Sequence, residues 1–184
     1  MSELKTKFDK EIVKKLMDRL NIQNPMGVPR VTKIVVNTSM KDFLTDKKNL
    51  ERAKEDMTLI TGQSPKLSRA RVSVATFKLR EGDEIGLSTT LRGARMYDFL
   101  EKLVNIVFPT VRDFTGISRS AFDGRGNLSV GFTENTVFPE IDPGKVDKIR
   151  SLQVTIVTNA GSDENAKALL EEMGFPFKKE VAQN

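Results

Sequence analysis

Basic side chains in two acid-free stretches are the residues of this chain best suited to chemistry, and that chemistry is the binding of phosphate. Residues 57–80 contain five basic residues and no Asp or Glu, namely Lys66, Arg69, Arg71, Lys78 and Arg80. Residues 19–41 also lack acid and contain Arg19, Arg30, Lys33 and Lys41. Since these stretches hold 9 of the 30 basic residues, the rest of the chain has 21 basic against 25 acidic residues. A basic side on a mildly acidic body is typical of a protein that binds a polyanion.

The composition excludes the commonest catalytic and metal-binding groups. The chain contains no Cys and no His, which removes thiol nucleophiles, the histidine general base and the usual zinc ligands. The run GRGNLSVG at 124–131 lacks the glycine spacing of a nucleotide-binding loop and opens a strand, so we interpret it as a glycine-rich hairpin turn. The acids Glu81, Asp83 and Glu84 lack the spacing of a calcium loop. These residues predict no cofactor and no metal site.

Hydrophobic periodicity places the elements that must position the basic side chains. Helical spacing predicts helices at 3–20, 47–61 (capped by Asp46), 94–107 and from Ser162 or Asp163 to Met173. Alternation predicts strands at 28–38, 85–91, 128–133 and 152–158, and residues 63–67 lead from a loop into one more. Because strands and helices alternate irregularly, we predict an α+β fold. It has a mainly antiparallel β-sheet, flanking helices and a long basic loop between two strands.

We expect one domain over residues 1–184, with an N-terminal helix at 3–20 and a basic excursion at about 66–86. The helix has an apolar stripe that predicts docking on the core; the alternative is that its lysines also contact a polyanion. For Phe77, in the excursion, a core position is preferred to stacking on a base. The chain shows no signal-peptide pattern and no apolar run long enough for a bilayer, which predicts a cytoplasmic protein without a membrane partner.

Five segments resemble, in order, a family of bacterial large-subunit ribosomal proteins, the one that binds 5S rRNA and is number five in the universal set. The segments are PRVTKIVVN (29–37), GQSPKLSRARVSVATFKLREG (62–82), TLRGARMYDFLEKL (90–103), FDGRGNLSVGFTENTVFPEID (122–142) and ALLEEMGFPF (168–177). The resemblance covers nearly the whole chain. It implies an antiparallel sheet with flanking helices and no enzymatic activity.

The resemblance also implies partners. A member of this family is a structural constituent of the large subunit that attaches 5S rRNA to the large-subunit rRNA in the central protuberance. The excursion would contact the elbow of the peptidyl-site tRNA. The region around 110–146 would meet the small-subunit head protein numbered thirteen and form an intersubunit bridge. An acidic second half suits a basic protein partner.

Residue by residue, the resemblance implies two sites. The 5S-rRNA-binding face would comprise Arg30, Lys33, Asn37, Gln63, Lys66, Thr90 and Arg92. The tRNA-contacting loop at 69–80 would comprise Arg69, Arg71, Ser73, Lys78 and Arg80. The chain departs from the family pattern at three places: Thr38–Lys41 replace a glycine-containing turn, Ser88 replaces a lysine, and Asp83-Glu84 make the far side of the loop acidic.

Two other functions are compatible with the residues alone. A small enzyme using carboxylates and lysine would need a concave pocket with a strongly perturbed ionisable group. A protein-binding adaptor would use the helix at 3–20, and truncating that helix would then abolish partner binding while RNA binding remained.

Overall fold

The computed structural model describes residues 3–39, 47–112, 114–145 and 148–178. In chain order, helix α1 comprises Glu3–Lys7, a π-helical turn at Phe8–Ile12, and Val13–Leu20. It is followed by β1 (Val31–Ser39), α2 (Lys47–Thr61), β2 (Lys66–Arg69) and β3 (Glu84–Leu91). Helix α3 comprises Ala94–Lys102, a π-helical turn at Leu103–Val107, and Phe108–Thr110. The remaining long elements are β4 (Leu128–Phe132), β5 (Leu152–Thr158) and α4 (Asp163–Glu172).

The five strands form one antiparallel sheet in the order β2-β3-β1-β5-β4, which confirms the α+β prediction. Hydrogen bonds between β1 and β5 show their opposite directions, because residues 30, 32 and 38 are bonded to residues 159, 157 and 151. Strand β2 is an edge strand of four residues, and its register against β3 shifts at a bulge between Ser68 and Arg69.

The described residues form two compact units. The first contains residues 3–34, 92–112, 114–130 and 155–178, and the second contains residues 35–39, 47–91, 131–145 and 148–154. Strands β1, β4 and β5 contribute residues to both units. The expectation of one domain over 1–184 stays a prediction.

In the first unit, α1 docks by its apolar stripe, as predicted. Phe8, Ile12 and Leu16 are buried, and the helix ends where Asn21 takes a left-handed conformation with φ of +53°. Helix α4 begins after Ser162, whose Oγ accepts a hydrogen bond from the backbone N–H of Asn165 at 3.4 Å. Of the two predicted caps, Ser162 is therefore the correct one.

Helix α3 continues past its predicted end at residue 107. Pro109 lies within this continuous helix, in the segment Phe108–Thr110 that follows the π-helical turn. Because proline has no backbone N–H to donate to the preceding turn, the helix ends one residue later, at Thr110.

In the second unit, α2 has its predicted bounds and its predicted core face, formed by Leu50, Ala53, Met57 and Ile60. Gly62 ends the helix with φ of +65°. The predicted cap at Asp46 lies outside the described residues. Among the described residues, no helix is long and apolar enough to cross a membrane.

Residues 70–83, called the excursion from here on, connect β2 and β3. At its base, the backbone N–H of Ala70 donates to the carbonyl of Asp83 at 2.8 Å. Nearer its tip, an antiparallel bridge joins Val74 to Leu79 across a 3₁₀ turn at Ala75–Phe77. The excursion is shorter than the expected 66–86 because β2 and β3 occupy both ends of that range. Its two arms are hydrogen-bonded to each other, so it is not an open loop.

Candidate nucleic-acid interface

Cross-strand pairing places three predicted or neighbouring polar residues on one side of β2 and β3. Lys66 lies opposite Ser88, and Leu67 lies opposite Leu87. Because side chains alternate along a strand, Lys66, Ser88 and Thr90 project from the side opposite to Leu87. Leu87 is buried where α2 packs against β3, so the side with Lys66 is not covered by that helix.

Strand β1 extends the same side of the sheet. A Cβ added to Gly86 would lie 3.3 Å from the Cβ of Ser39, so the side chain of Ser39 projects on the side of Ser88. Asn37 precedes Ser39 by two residues and shares its orientation. We call the side chains of Asn37, Ser39, Lys66, Ser88 and Thr90 the open face.

Gln63 is held beside the open face by its backbone and its amide. Its carbonyl accepts a hydrogen bond from the hydroxyl of Thr61 at 3.0 Å. Its Nε2 lies 3.5 Å from the carbonyl oxygen of Thr90, to which it donates. Within the second unit, the fold therefore brings together four of the seven residues proposed for 5S rRNA: Asn37, Gln63, Lys66 and Thr90.

The other three predicted residues belong to the first unit. Arg30 is exposed, and its backbone N–H donates to Oδ1 of Asn159 at 2.6 Å, which fixes the chain at the start of β1. Lys33 is half-buried on β1. Arg92 is exposed and directly precedes Gly93, whose φ of +62° allows the turn from β3 into α3.

Four of the five residues predicted for tRNA lie in the excursion, namely Arg71, Ser73, Lys78 and Arg80, and the fifth, Arg69, is the last residue of β2. Arg69 forms an ion pair of 3.4 Å with Glu84, and the backbone N–H of Arg80 donates to Oδ2 of Asp83 at 2.7 Å. The hydroxyl of Ser73 accepts from the backbone N–H of Glu81 at 2.9 Å. Asp83 and Glu84, which make the far side of the loop acidic, are thus both bonded to groups at the base of the excursion.

Phe77 is not a core residue, and the preferred interpretation from the sequence was wrong. Its side chain is 63% exposed, and the neighbouring Val72 is 68% exposed. Residues 71–78 are all exposed, because the two arms of the excursion pair with each other and pack on nothing else at their tip. Arg71 and Lys78 flank these apolar side chains, and Lys78 adopts φ of +52°.

The glycine loop, residues 122–127, is a turn closed by a bridge between Phe122 and Leu128, as the sequence predicts. The backbone N–H groups of Gly124 and Gly126 donate to the two carboxylate oxygens of Asp163 at 3.1 and 2.8 Å. Asp123 accepts from both the side chain and the backbone of Asn127, at 2.7 and 3.0 Å, and these bonds lower the pKa of its carboxyl. The amides that would bind a phosphate are thus already bound to carboxylates of the chain itself.

Sequence reasoning missed a buried polar cluster in the second unit. Nη1 of Arg150, a residue 4% exposed, donates to Oδ2 of Asp56 at 2.7 Å, and the buried Asn135 donates to the same oxygen at 3.3 Å. Burial raises the pKa of Asp56, although the adjacent guanidinium opposes that shift. The partners are far apart in the chain, so no local pattern predicts the cluster.

Two sequence profiles match the chain. One is described as ribosomal protein L5 and matches residues 24–80, and the other is described as the C-terminus of the same ribosomal protein family and matches residues 84–177. The chain belongs to the ribosomal protein L5 family. This finding confirms the resemblance seen in the sequence.

Relatives of nearly the same length support the assignment. The large ribosomal subunit protein uL5 of Thermoanaerobacter sp. (strain X514) is 50% identical over 179 residues, 97% of this chain and 100% of the relative. The protein of the same name from Syntrophomonas wolfei is 51% identical over 178 residues, with the same coverage. That of Oceanobacillus iheyensis is 50% identical over 179 residues, again covering 97% and 100%. The family consists of structural proteins of the ribosome, not enzymes, which removes the alternative of a small carboxylate enzyme.

Proposed function

We propose that this chain is a structural constituent of the large ribosomal subunit that binds 5S rRNA through its open face and Gln63. Arg30, Lys33 and Arg92 of the first unit supply further contacts to 5S rRNA. The protein would thereby attach 5S rRNA to the large-subunit rRNA in the central protuberance. The observation that carries the proposal is the polar side of β2, β3 and β1, which α2 leaves uncovered.

The chemistry of the open face suits a folded RNA. Lys66 is exposed and provides a cation for phosphate, while the hydroxyls of Ser88 and Thr90 and the amide of Asn37 can bond sugar and phosphate oxygens. Ser88, where the family usually has lysine, lies directly opposite Lys66. We therefore expect one phosphate contact fewer at this point and a smaller salt dependence than in relatives with lysine.

The excursion is proposed as the contact to the peptidyl-site tRNA. Its exposed residues 71–78 include the cations Arg71 and Lys78 and the aromatic Phe77. Cations beside an aromatic ring match an RNA surface, in which phosphates alternate with stackable bases. The backbone bonds at its base and the bridge between Val74 and Leu79 restrain the path of the two arms, which lowers the backbone entropy lost on binding.

The acidic side chains of the second unit are proposed to meet the small-subunit head protein numbered thirteen. Glu134, Glu140 and Asp142 are exposed in the segment that follows β4. Their charge complements a basic protein and would steer its approach. The buried bond between Arg150 and Asp56 connects the end of that segment to α2 and keeps the segment in place.

Binding of the full chain to 5S rRNA at two salt concentrations, with an unrelated structured RNA as control, tests the main proposal. We expect tight, salt-sensitive binding that prefers 5S rRNA. Replacing Lys66 or Arg92 with glutamine should weaken binding and lower the log–log salt slope by about 0.7–0.9 per lost contact. Equal affinity for both RNAs would show that the basic stretches bind any polyanion, and this would contradict the proposal.

The adaptor hypothesis has less structural support. The apolar stripe of α1 is used within the first unit, since Ile12 and Leu16 are 1% and 0% exposed. Arg19 on the same helix forms an ion pair of 2.6 Å with Glu171 of α4. A helix docked in this way offers its polar side only, so truncating it should lower stability before it affects any partner.

A further inference from the structure

A groove of about 410 Å³ opens at one end of the sheet, where β1 ends, β5 begins and β4 ends. It lies within the second unit. None of its nine described lining residues is charged. Its polar lining consists of Asn37, Thr38, Ser39, Thr133, Ser151 and Gln153. This strand-end groove therefore differs in chemistry from the basic surfaces proposed to bind phosphate.

Hydroxyl and amide groups each offer both a donor and an acceptor, which matches two kinds of RNA group, the base edges and the ribose 2′-hydroxyl. Base edges are largely paired in a folded RNA, whereas 2′-hydroxyls remain accessible along its shallow groove. Phosphate oxygens only accept, whereas a ribose 2′-hydroxyl both donates and accepts. Across the groove, Nδ2 of Asn37 donates to Oε1 of Gln153 over 3.5 Å, a long bond. That bond uses one donor and one acceptor and leaves the other half of each amide able to bind a ligand.

Gly131 makes the groove accessible. It is exposed near the end of β4, and a Cβ added there would meet no atom within 4 Å. Its φ lies outside the left-handed region, so a larger residue is compatible with the backbone. The position therefore offers a way to fill the groove from inside without straining the strand.

We propose that the strand-end groove is a ribose-binding site, in which 2′-hydroxyls of an rRNA strand bond to the hydroxyl and amide groups of β1 and β5. The inference rests on the proposed binding of rRNA and extends it beyond the open face. Asn37 and Ser39 belong to both surfaces, so an RNA strand lying on the open face can continue into the groove without leaving the protein. Phosphate binding by Lys66 would then supply affinity, and the groove would supply preference for RNA.

The test compares wild type with Gly131→Leu on normal 5S rRNA and on 5S rRNA transcribed with 2′-fluoro pyrimidines, which lack the hydroxyl donor. We expect wild type to bind the fluorinated RNA roughly tenfold more weakly, equivalent to one or two hydrogen bonds. Gly131→Leu should lose about the same factor on normal RNA and nothing more on fluorinated RNA. Its salt slope should equal that of wild type, because no phosphate contact is removed.

Gly144→Leu is the matched control. Gly144 is also exposed with an ordinary φ, and its Cβ would meet only Oδ1 of Asp142 at 3.4 Å, outside the groove. It should bind both RNAs like wild type. If Gly131→Leu proves unstable, Gln153→Met keeps the side-chain size without the amide; its weaker binding would support the proposal, and wild-type affinity would overturn it.

Other outcomes separate this inference from the proposed function. If Gly131→Leu binds like wild type while Lys66→Gln is weakened, the groove holds no RNA and the open face still does. A lower salt slope in Gly131→Leu would mean that the groove binds phosphate, against the proposal. Unchanged RNA binding with loss of a ribosomal protein partner would assign the groove to protein. If wild type shows no preference for 5S rRNA, the proposed function fails and the groove inference with it.

Discussion

The glycine loop and the excursion contain similar residues and behave differently. Both are turns with arginine and glycine, and both invite a nucleic-acid interpretation. In the glycine loop, the amides of Gly124 and Gly126 are bound by Asp163. In the excursion, the acids bond near the base, while Arg71 above the base and Phe77 and Lys78 at the tip stay exposed. A turn with glycine and arginine therefore indicates a phosphate-binding site only when no carboxylate of the same chain already occupies its donor groups.

The sharpest way to test the structural role of the glycine loop is to add one methyl group at each of two glycines. Gly126→Ala should lower the free energy of unfolding by about 3 kcal/mol, because φ is +85° and the new Cβ would lie 2.9 Å from the carbonyl oxygen of Ser162. Gly124→Ala has a similar φ of +81° with no atom within 4 Å, so about 1 kcal/mol is expected. Urea unfolding measures both free energies. Equal losses of stability in the two variants would contradict the close contact of Gly126 with the residues around Ser162.

In the excursion, by contrast, removing charge should change RNA binding and leave stability almost unchanged. The double variant Arg71→Gln/Lys78→Gln should keep its unfolding free energy within about 0.5 kcal/mol. Its log–log salt slope for tRNA binding should fall by roughly 1.4–1.8, the value for two phosphate contacts, with 5S rRNA binding unchanged. Arg125→Gln in the glycine loop is the matched control and should change neither slope. A large loss of 5S rRNA binding in the double variant would contradict the division between the two surfaces.

Phe77 separates a structural from a recognition role within the excursion itself. Because the ring is 63% exposed, Phe77→Ala should change the unfolding free energy by less than about 0.5 kcal/mol. The same substitution at the fully buried Phe138 should cost about 3–5 kcal/mol. If Phe77 stacks on a base, tRNA binding should weaken by about 1–3 kcal/mol, and Phe77→Leu should not restore it. If Phe77→Ala and Phe77→Leu both bind tRNA like wild type, only the basic side chains of the excursion contribute to tRNA binding.

The smallest expected effect is a difference in acid sensitivity at the glycine loop. The hydrogen bonds from Asn127 and Arg125 lower the pKa of Asp123 in the folded state. The carboxylate therefore stabilises the protein above its unfolded pKa of about 3.9, and this contribution is lost as the pH falls through the folded pKa. Asp123→Asn should show a flatter fall in stability below about pH 4, measured by thermal unfolding. Identical acid profiles would show that these bonds do not favour the charged form.

Elements defined by local pattern could be predicted from the sequence. Helix α2 and strand β5 have their predicted bounds, because Leu50, Ala53 and Met57 repeat at helical spacing and Leu152, Val154 and Ile156 alternate. The resemblance likewise identified the family from contiguous segments. Local spacing was sufficient for both.

Features that depend on partners distant in sequence could not be predicted. Nothing near Gly124 indicates that Asp163 will bind it, and nothing near Asp56 indicates Arg150. The prediction that Phe77 lies in the core was wrong for the same reason. An apolar residue is buried only if another element covers it, and Phe77 is exposed at the tip of the excursion. The strand-end groove arises where three strands end together, which no single segment encodes.

Strand β2 also has a consequence for the protein before it meets RNA. An exposed sheet edge offers unpaired backbone groups to other chains and promotes aggregation. Here the edge is four residues long, has a bulge and begins and ends with the cations Lys66 and Arg69. Length, bulge and like charge all oppose pairing between two copies. The edge at β2 is therefore a poor template for pairing with a second copy of the chain, and Lys66, proposed above to bind RNA, contributes to this protection as well.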